Sequence, residues 1–145
     1  MSPTRQLEKL VLFTIGDVMS RKVVTVTEGE MVLQTVKKMH EARVGSVIVT
    51  GKGQAVAGIF TERDLMSRVV APEKDPKKTP VSEVMTKDPE TLASGMPILT
   101  AFQLLHSSGF RHVPIVDDSK LVGILSGRDL HKLVYQFLEI AVLER

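Results

Sequence analysis

An internal repeat constrains the fold of this 145-residue chain more than any other feature. The octapeptide GIFTERDL at residues 58–65 returns as GILSGRDL at residues 123–130, 65 positions later. Upstream of it the two halves align at an offset of 66, and the lost residue falls in a turn-forming stretch between two apolar runs. Hairpin loops tolerate such a change without altering which way either strand faces. The pattern therefore predicts the duplication of a complete supersecondary unit.

Each copy predicts the element order β-α-β-β-α. A short extended run comes first, and an amphipathic helix follows it. Two strands rich in Val and Ile come next, joined by a hairpin turn, and a second helix begins at the hydroxyl residue of the octapeptide. The extended runs and strands are predicted at residues 23–26, 46–50 and 55–60 of the first copy and at 90–92, 113–116 and 121–125 of the second.

The first helix of each copy carries a start signal. Thr27 followed three residues later by Glu30 predicts a capping box, and Pro97 falls in the corresponding first turn of the second copy. His40 and His106 lie near the ends of these helices, where an imidazole interacts well with the last carbonyls, so structural roles are expected for both. The apolar helix faces are predicted to contain Val32, Leu33, Val36 and Met39; Ile98, Leu99, Phe102 and Leu105; and, in the last helix, Leu130, Leu133, Val134, Phe137 and Leu138.

The fold class expected from this order is α+β, with two β-α-β-β-α repeats packed face to face about a pseudo-two-fold axis. One copy alone would be marginally stable, because so short a chain buries too little surface. The expected organisation is an N-terminal extension at 1–14, a first repeat at 15–70, an exposed linker at 71–80 and a second repeat with its C-terminal helix at 81–145. A cleft along the seam between the repeats is expected, because loops from both halves meet there.

Composition excludes several classes of protein. The chain has no cysteine, so it can form neither a disulfide nor a thiolate metal site, which fits a reducing cytoplasm. No apolar run is long enough to span a bilayer, and the first residues are too mixed with charge for a secretory signal. A net charge of +2 does not demand nucleic-acid binding, although a pI near 9.0 leaves it open.

The octapeptide allows two interpretations. In the first, Thr61 and Asp64, like Ser126 and Asp129, only cap a helix, and the glycine permits close backbone packing. In the second, the first turn offers unpaired amides and a positive dipole to a phosphate, and each aspartate accepts hydrogen bonds from a ribose diol. Arg63 and its counterpart in the second copy, Arg128, add guanidinium groups suited to phosphate.

The whole chain resembles a tandem pair of cystathionine-β-synthase-type (CBS) domains. The resemblance rests on DVMSRKVVTV and EVMTKDPETL, on VGSVIVT and RHVPIVD, and on the two octapeptides, and it covers roughly residues 15–135. It implies a regulatory module that binds AMP, ADP or ATP, or in some members S-adenosylmethionine or a dinucleotide such as NAD(H). It also implies a homodimer, which the exposed helices favour, and an unidentified protein partner that responds to the ligand.

The resemblance also implies which residues bind. The ribose acids fall on Asp64 and Asp129, and the hydroxyls near phosphate fall on Thr61 and Ser126. Ligand contact for His112 rests on its place at the expected cleft. The base-contacting segments correspond to Thr25, Val44, Gly45 and Ser46 in the first copy and to Thr91, Phe110, Arg111, His112, Val113 and Pro114 in the second.

The two sites are expected to differ in affinity. Glu62 stands beside Thr61, whereas Gly127 takes that place in the second copy. The second copy adds the Arg111 guanidinium near the cleft, while the first offers Arg43 nearby. A carboxylate near a phosphate weakens binding and a guanidinium strengthens it, so the second site is predicted to bind phosphorylated nucleotide more tightly.

Catalysis has little support, because the sequence contains no Ser-His-Asp arrangement, no phosphate loop with lysine and no metal-ligand spacing. No metal site is therefore expected. Two alternatives stay open: an interaction or scaffold module whose nucleotide sites are vestigial, and, less favoured, nucleic-acid binding.

Overall fold

The computed structural model describes residues 3–143. Its helices and strands alternate along the chain much as the repeat predicts. In chain order they are α1 (Pro3–Leu10), α2 (Ile15–Val18), β1 (Thr25–Thr27), α3 (Val32–Ala42), β2 (Ser46–Thr50), β3 (Val56–Thr61), α4 (Glu62–Asp64, continuing as a π-helix over Leu65–Val70), α5 (Val81–Val84), β4 (Thr86–Lys87), α6 (Ile98–Ser108), β5 (His112–Asp117), β6 (Lys120–Ser126) and α7 (Gly127–Leu143). The class is mixed α+β with two repeats, as predicted.

The chain forms two compact units whose limits differ from those of the sequence copies. One unit, here the 22–90 unit, runs from Lys22 to Glu90. The other, here the terminal unit, joins the segment up to Arg21 to the segment from Thr91 onward. Helix α2, which opens the first copy, thus belongs to the unit of the second copy, and α5, which opens the second, belongs to the unit of the first. Each copy therefore contributes its opening helix to the unit that contains most of the other copy. The predicted domain boundaries describe the repeat in the sequence and not these two compact units.

The 22–90 unit contains a four-stranded sheet in the order β1-β2-β3-β4. Strand β1 is parallel to β2, and the other neighbours are antiparallel. The predicted strand at 46–50 is confirmed in full, and β3 ends one residue beyond its predicted limit, at Thr61. Buried side chains from the sheet, from α3, from α4 with its π-helical continuation, and from α5 and the residue after it form one core: Val26, Val32, Met39, Val47, Val49, Phe60, Val69, Val81, Val84 and Met85.

The terminal unit is built around the antiparallel hairpin β5-β6. Single bridges join Leu92 to Ile115 and Ser20 to Ile124. The run predicted as extended at 90–92 therefore makes only one bridge and no strand in its own right. The core of this unit consists of Ile15, Met19, Ile98, Ala101, Val113, Ile115, Leu125, Leu130 and Leu133, and Phe13 meets Phe137 edge to face beside it.

The capping box predicted at Thr27 and Glu30 is wrong. Helix α3 begins at Val32, and its first amides donate to carbonyls of the 71–80 segment: Val32 to Thr79 and Leu33 to Pro76, both at 2.9 Å. The Glu30 carboxylate instead pairs with Lys38 at 2.9 Å. Backbone carbonyls from distant sequence thus replace the local cap. The 71–80 segment is mostly exposed, as predicted, but it is anchored by this contact and by a buried Thr79.

Two of the predicted apolar positions face solvent. Leu99 in α6 is 48% exposed and Leu138 in α7 is 60% exposed, while the buried residues of those faces are Ile98, Leu130 and Leu133. Pro97 lies one residue outside α6, at its N-cap. No helix within residues 3–143 is long and apolar enough to cross a bilayer.

Acid should loosen the loop before α6, because this loop depends on an ionised carboxylate. The Ser94 hydroxyl and the Ser94 amide, the latter at 2.9 Å, donate to the Asp117 carboxylate and lower its pKa, and Arg21 lowers it further. A depressed folded-state pKa stabilises the fold above the ordinary value and loses this effect as pH falls through the folded value. The loss is therefore expected below about pH 4.

Thermal unfolding followed from neutral to acid pH measures this effect. Asp117→Asn should flatten the fall in melting temperature below about pH 4. Asp118→Asn, at the exposed neighbouring position, serves as the matched control. An Asp117→Asn profile that runs parallel to the native one would contradict the assignment.

Candidate ligand sites at the repeated octapeptides

In the first copy the octapeptide forms a reciprocal cap where β3 becomes α4. The Thr61 amide and hydroxyl donate to Asp64 Oδ2 at 3.0 and 3.1 Å, and the Asp64 amide donates to Thr61 Oγ1 at 3.2 Å. Two of the orphan donors at the helix start are thereby satisfied by their own sequence neighbourhood. The structural interpretation of the motif is confirmed here.

The second copy repeats this geometry at Ser126 and Asp129. The Ser126 amide and hydroxyl donate to Asp129 Oδ2 at 2.8 and 3.0 Å, and the Asp129 amide donates back to Ser126 Oγ at 3.2 Å. A similar cap also lies outside the octapeptides, where the Thr14 amide and hydroxyl donate to Asp17 Oδ2 at 2.9 and 3.0 Å. The hydroxyl-x-x-Asp pattern alone therefore indicates a helix start, and a ligand role must rest on the surroundings.

Asp64 is buried, unlike Asp17, which makes the same kind of helix cap. Asp64 is only 7% exposed, whereas Asp17 is exposed. Two groups face its other oxygen: Thr86 Oγ1 lies 3.4 Å and Arg68 Nε lies 3.7 Å from Asp64 Oδ1. Neither residue is among the predicted site residues. The sequence could have pointed to Thr86, because a hydroxyl residue follows Val-Met in both copies, as VMS at 18–20 and VMT at 84–86. It could not have pointed to Arg68 in this way, because the second copy has no arginine at the aligned position.

The first copy brings part of the predicted base-contacting segment to the same junction. Ser46 is buried at the start of β2 and stands opposite Thr61 in the register of the sheet. The Gly45 carbonyl accepts the Glu62 amide at 3.0 Å. Thr25 is exposed at the start of β1 and pairs with Ile48 of β2, two residues beyond Ser46. Val44 is half-buried and lies just before β2.

The second copy has the corresponding backbone contacts. His112 stands opposite Ser126 in the β5-β6 register, and the Arg111 carbonyl accepts the Gly127 amide at 2.9 Å. The Arg111 side chain is exposed and that of His112 is half-buried. Other predicted residues lie differently: Val113 and Pro114 are buried within β5, Phe110 packs against the core, and Thr91 is exposed outside any strand.

The predicted phosphate cations and histidines lie at the surface. Arg63 and Arg128 are exposed in the first turns after the two junctions. His40 and His106 lie in the last turns of α3 and α6, as expected, and both side chains are exposed. Within residues 3–143, no three side chains of the His, Cys, Asp and Glu types cluster closely enough to hold a metal ion.

A family model of the CBS domain matches residues 15–71 and 81–135. The chain belongs to the CBS-domain family. A protein of Methanopyrus kandleri is 34% identical over 118 residues, which cover 81% of this chain and 60% of that protein. A CBS domain-containing protein of Arabidopsis thaliana is 32% identical over 124 residues, 86% of this chain but 22% of that protein. The chain thus spans less than two thirds of either relative.

Solved structures agree with this family assignment. A protein with CBS domains from Burkholderia ambifaria superposes with a TM-score of 0.78 at 32% identity, covering 83% of this chain and 93% of that one. A CBS-domain pair in complex with 5′-methylthioadenosine and S-adenosyl-L-methionine gives 0.77 at 20% identity, covering 85% and 96%. At 20% identity the second likeness establishes the fold alone.

Proposed function

We propose that this CBS-domain pair is a regulatory module that binds an adenine nucleotide, AMP, ADP or ATP, through Asp64 and Asp129 and conveys its presence to a partner protein. One observation carries the proposal: both copies place a carboxylate, a hydroxyl and the start of a neighbouring strand at the same strand-to-helix junction. The adenosyl ligands of the 20%-identical CBS-domain pair support this ligand class. The chain is proposed to regulate and not to catalyse.

The contacts at each junction suit a nucleoside phosphate. A carboxylate can accept two hydrogen bonds from the vicinal hydroxyls of ribose, and charged acceptors strengthen such bonds. The exposed Arg63 and Arg128 guanidinium groups, one residue before each aspartate, favour an anion near the ribose. A ligand that fits one arrangement of the protein better than another shifts the population towards it, which is how a partner could detect the ligand.

The second junction is proposed as the tighter site. Gly127 replaces the exposed Glu62 of the first copy, and the exposed Arg111 adds positive charge one register position before His112. Both differences favour a phosphate at Asp129 over one at Asp64.

A self-association proposal accompanies this function. Helix α7 exposes Tyr135 and Leu138 to 65% and 60%, and Val142 near its end is also exposed. Apolar side chains at this helical spacing form a face that a second copy could cover, which supports a homodimer.

Titration of AMP tests the function and the ranking together. Asp129→Ala should weaken AMP binding about tenfold or more, because a charge-assisted hydrogen bond contributes about 1.5–3 kcal/mol. Asp64→Ala should have the smaller effect. Asp17→Ala is the matched control: it removes a similar helix cap outside the octapeptides, so it should change stability but not AMP affinity.

Thermal shift with AMP, ATP, NADH and S-adenosylmethionine completes the experiment, since a ligand that binds the native state raises its melting temperature. A larger loss from Asp64→Ala would refute the ranking of the two sites. No shift with any of the four ligands would reject nucleotide sensing and favour the scaffold alternative.

A further inference from the structure

One arginine of the 22–90 unit bridges the first candidate site and the helix next to it. Arg68 Nη1 donates to the Met85 carbonyl at 2.7 Å and lies 3.5 Å from the Val84 carbonyl. Its Nε lies 3.7 Å from Asp64 Oδ1. The planar guanidinium can hold an acid and backbone carbonyls at once, because its donors point in fixed directions. Arg68 therefore ties the Asp64 carboxylate to the end of α5.

The second copy has no equivalent of this tie. In the octapeptide alignment, the position of Arg68 corresponds to Leu133, which is 6% exposed and belongs to the core of the terminal unit. The local helix differs as well: residues 65–70 after Asp64 form a π-helix, whereas α7 continues as an ordinary α-helix after Asp129. Within the described part of the chain, no ion pair forms at Asp129.

Both oxygens of Asp64 are already engaged by protein groups. Oδ2 accepts from Thr61, and Oδ1 faces Thr86 and Arg68. A ribose diol that approaches this carboxylate must replace at least the contacts at Oδ1. Displacing the guanidinium breaks an ion pair between the half-exposed Arg68 side chain and a buried carboxylate, which opposes binding.

We propose that Arg68 is a gate that closes the first site, so that an adenine nucleotide binds at Asp64 only when the guanidinium leaves Oδ1. The inference rests on the proposed function and adds a further residue that makes the two sites unequal. Because the same side chain binds the carbonyls of Val84 and Met85, opening the gate also releases the end of α5. Occupancy of the first site is thereby linked to a segment that the second copy contributes.

The test measures AMP binding by calorimetry in an Asp129→Ala background, which leaves only the first site. Adding Arg68→Leu, the residue found at the aligned position of the second copy, should tighten AMP binding by up to about fivefold, the effect of removing a half-exposed ion pair that competes with ligand. Adding Arg68→Lys should give a smaller gain, since an ammonium cannot reach Asp64 and both carbonyls together. Lys37→Leu, which removes an exposed cation from α3 of the same unit, is the control and should change nothing.

The outcomes separate this inference from the function on which it rests. Wild-type binding combined with unchanged or weaker AMP binding in the Arg68 variants overturns the gate and leaves nucleotide sensing intact. No AMP binding by the wild-type protein overturns both. If circular dichroism shows that neither Arg68 variant folds, Arg68 belongs to the fold and the gate is likewise rejected.

Discussion

Gly58→Ala and Gly123→Ala should each lower the free energy of unfolding by about 1–3 kcal/mol, the usual effect of forcing a methyl group into a packed core. A Cβ atom at Gly58 would lie 2.4 Å from Met85 Sδ and 2.8 Å from the Thr86 carbonyl oxygen. A Cβ atom at Gly123 would lie 2.6 Å from Met19 Sδ and 2.9 Å from the Ser20 carbonyl oxygen. The methionine can move aside, but the carbonyl belongs to paired backbone and cannot.

Two other glycines serve as controls for this prediction. Gly29 and Gly95 occupy aligned positions in the two copies, and a Cβ atom there would meet nothing within 4 Å. Alanine at either position should change the free energy of unfolding by less than about 0.5 kcal/mol. Urea denaturation of the four variants measures the difference. Equal midpoints for Gly58→Ala and Gly29→Ala would contradict the packing argument.

The glycine contacts explain why the Val-Met pair and the octapeptide occur together in each copy. The glycine that opens each octapeptide packs against the methionine of a VM pair, and that pair comes from the other copy: Gly58 meets Met85, and Gly123 meets Met19. The close packing expected of this glycine is therefore confirmed. Its partner could not be foreseen, since the sequence places Met19 and Gly58 in the same copy.

Elements with a strong local signal were predictable from the sequence. The runs of Val and Ile before and after the two hairpin turns specify strands wherever they are placed, and β2, β3, β5 and β6 lie within a residue of their predicted limits. The start of α3 was not predictable in this way. Its cap comes from Thr79 and Pro76, more than 40 residues later in the chain, and no window around residue 30 contains that information.

In the candidate site as well, contacts between residues close in sequence were predictable and contacts between distant residues were not. The bonds between Thr61 and Asp64 span three residues, so the octapeptide itself predicts them. Thr86 reaches Asp64 across 22 residues of sequence, and Arg68 stands where the second copy has an apolar residue. Comparison of the two copies reveals what they share, and it therefore misses the contact that makes one carboxylate different from the other.

A fragment of residues 22–90 should unfold cooperatively, whereas a fragment of similar length covering residues 15–80 should not. The first contains the whole core of the 22–90 unit, including Val81, Val84 and Met85. The second keeps the first copy and the linker but lacks those three side chains and β4, while it retains α2, whose core partners lie beyond residue 90. Burial of each valine contributes about 1.5–3 kcal/mol, so Val81 and Val84 together supply a large part of the small stability margin of such a unit.

Thermal melts followed by circular dichroism, together with the dispersion of amide proton signals, distinguish the two fragments. Replacing Val81 and Val84 by alanine within the 22–90 fragment is the matched control, and it should abolish the cooperative transition without changing the length of the chain. Cooperative unfolding of the 15–80 fragment with none for 22–90 would show that each copy folds around its own opening helix. The observed core favours the opposite result, because the other buried side chains of the core that contains Val81, Val84 and Met85 all come from the first copy.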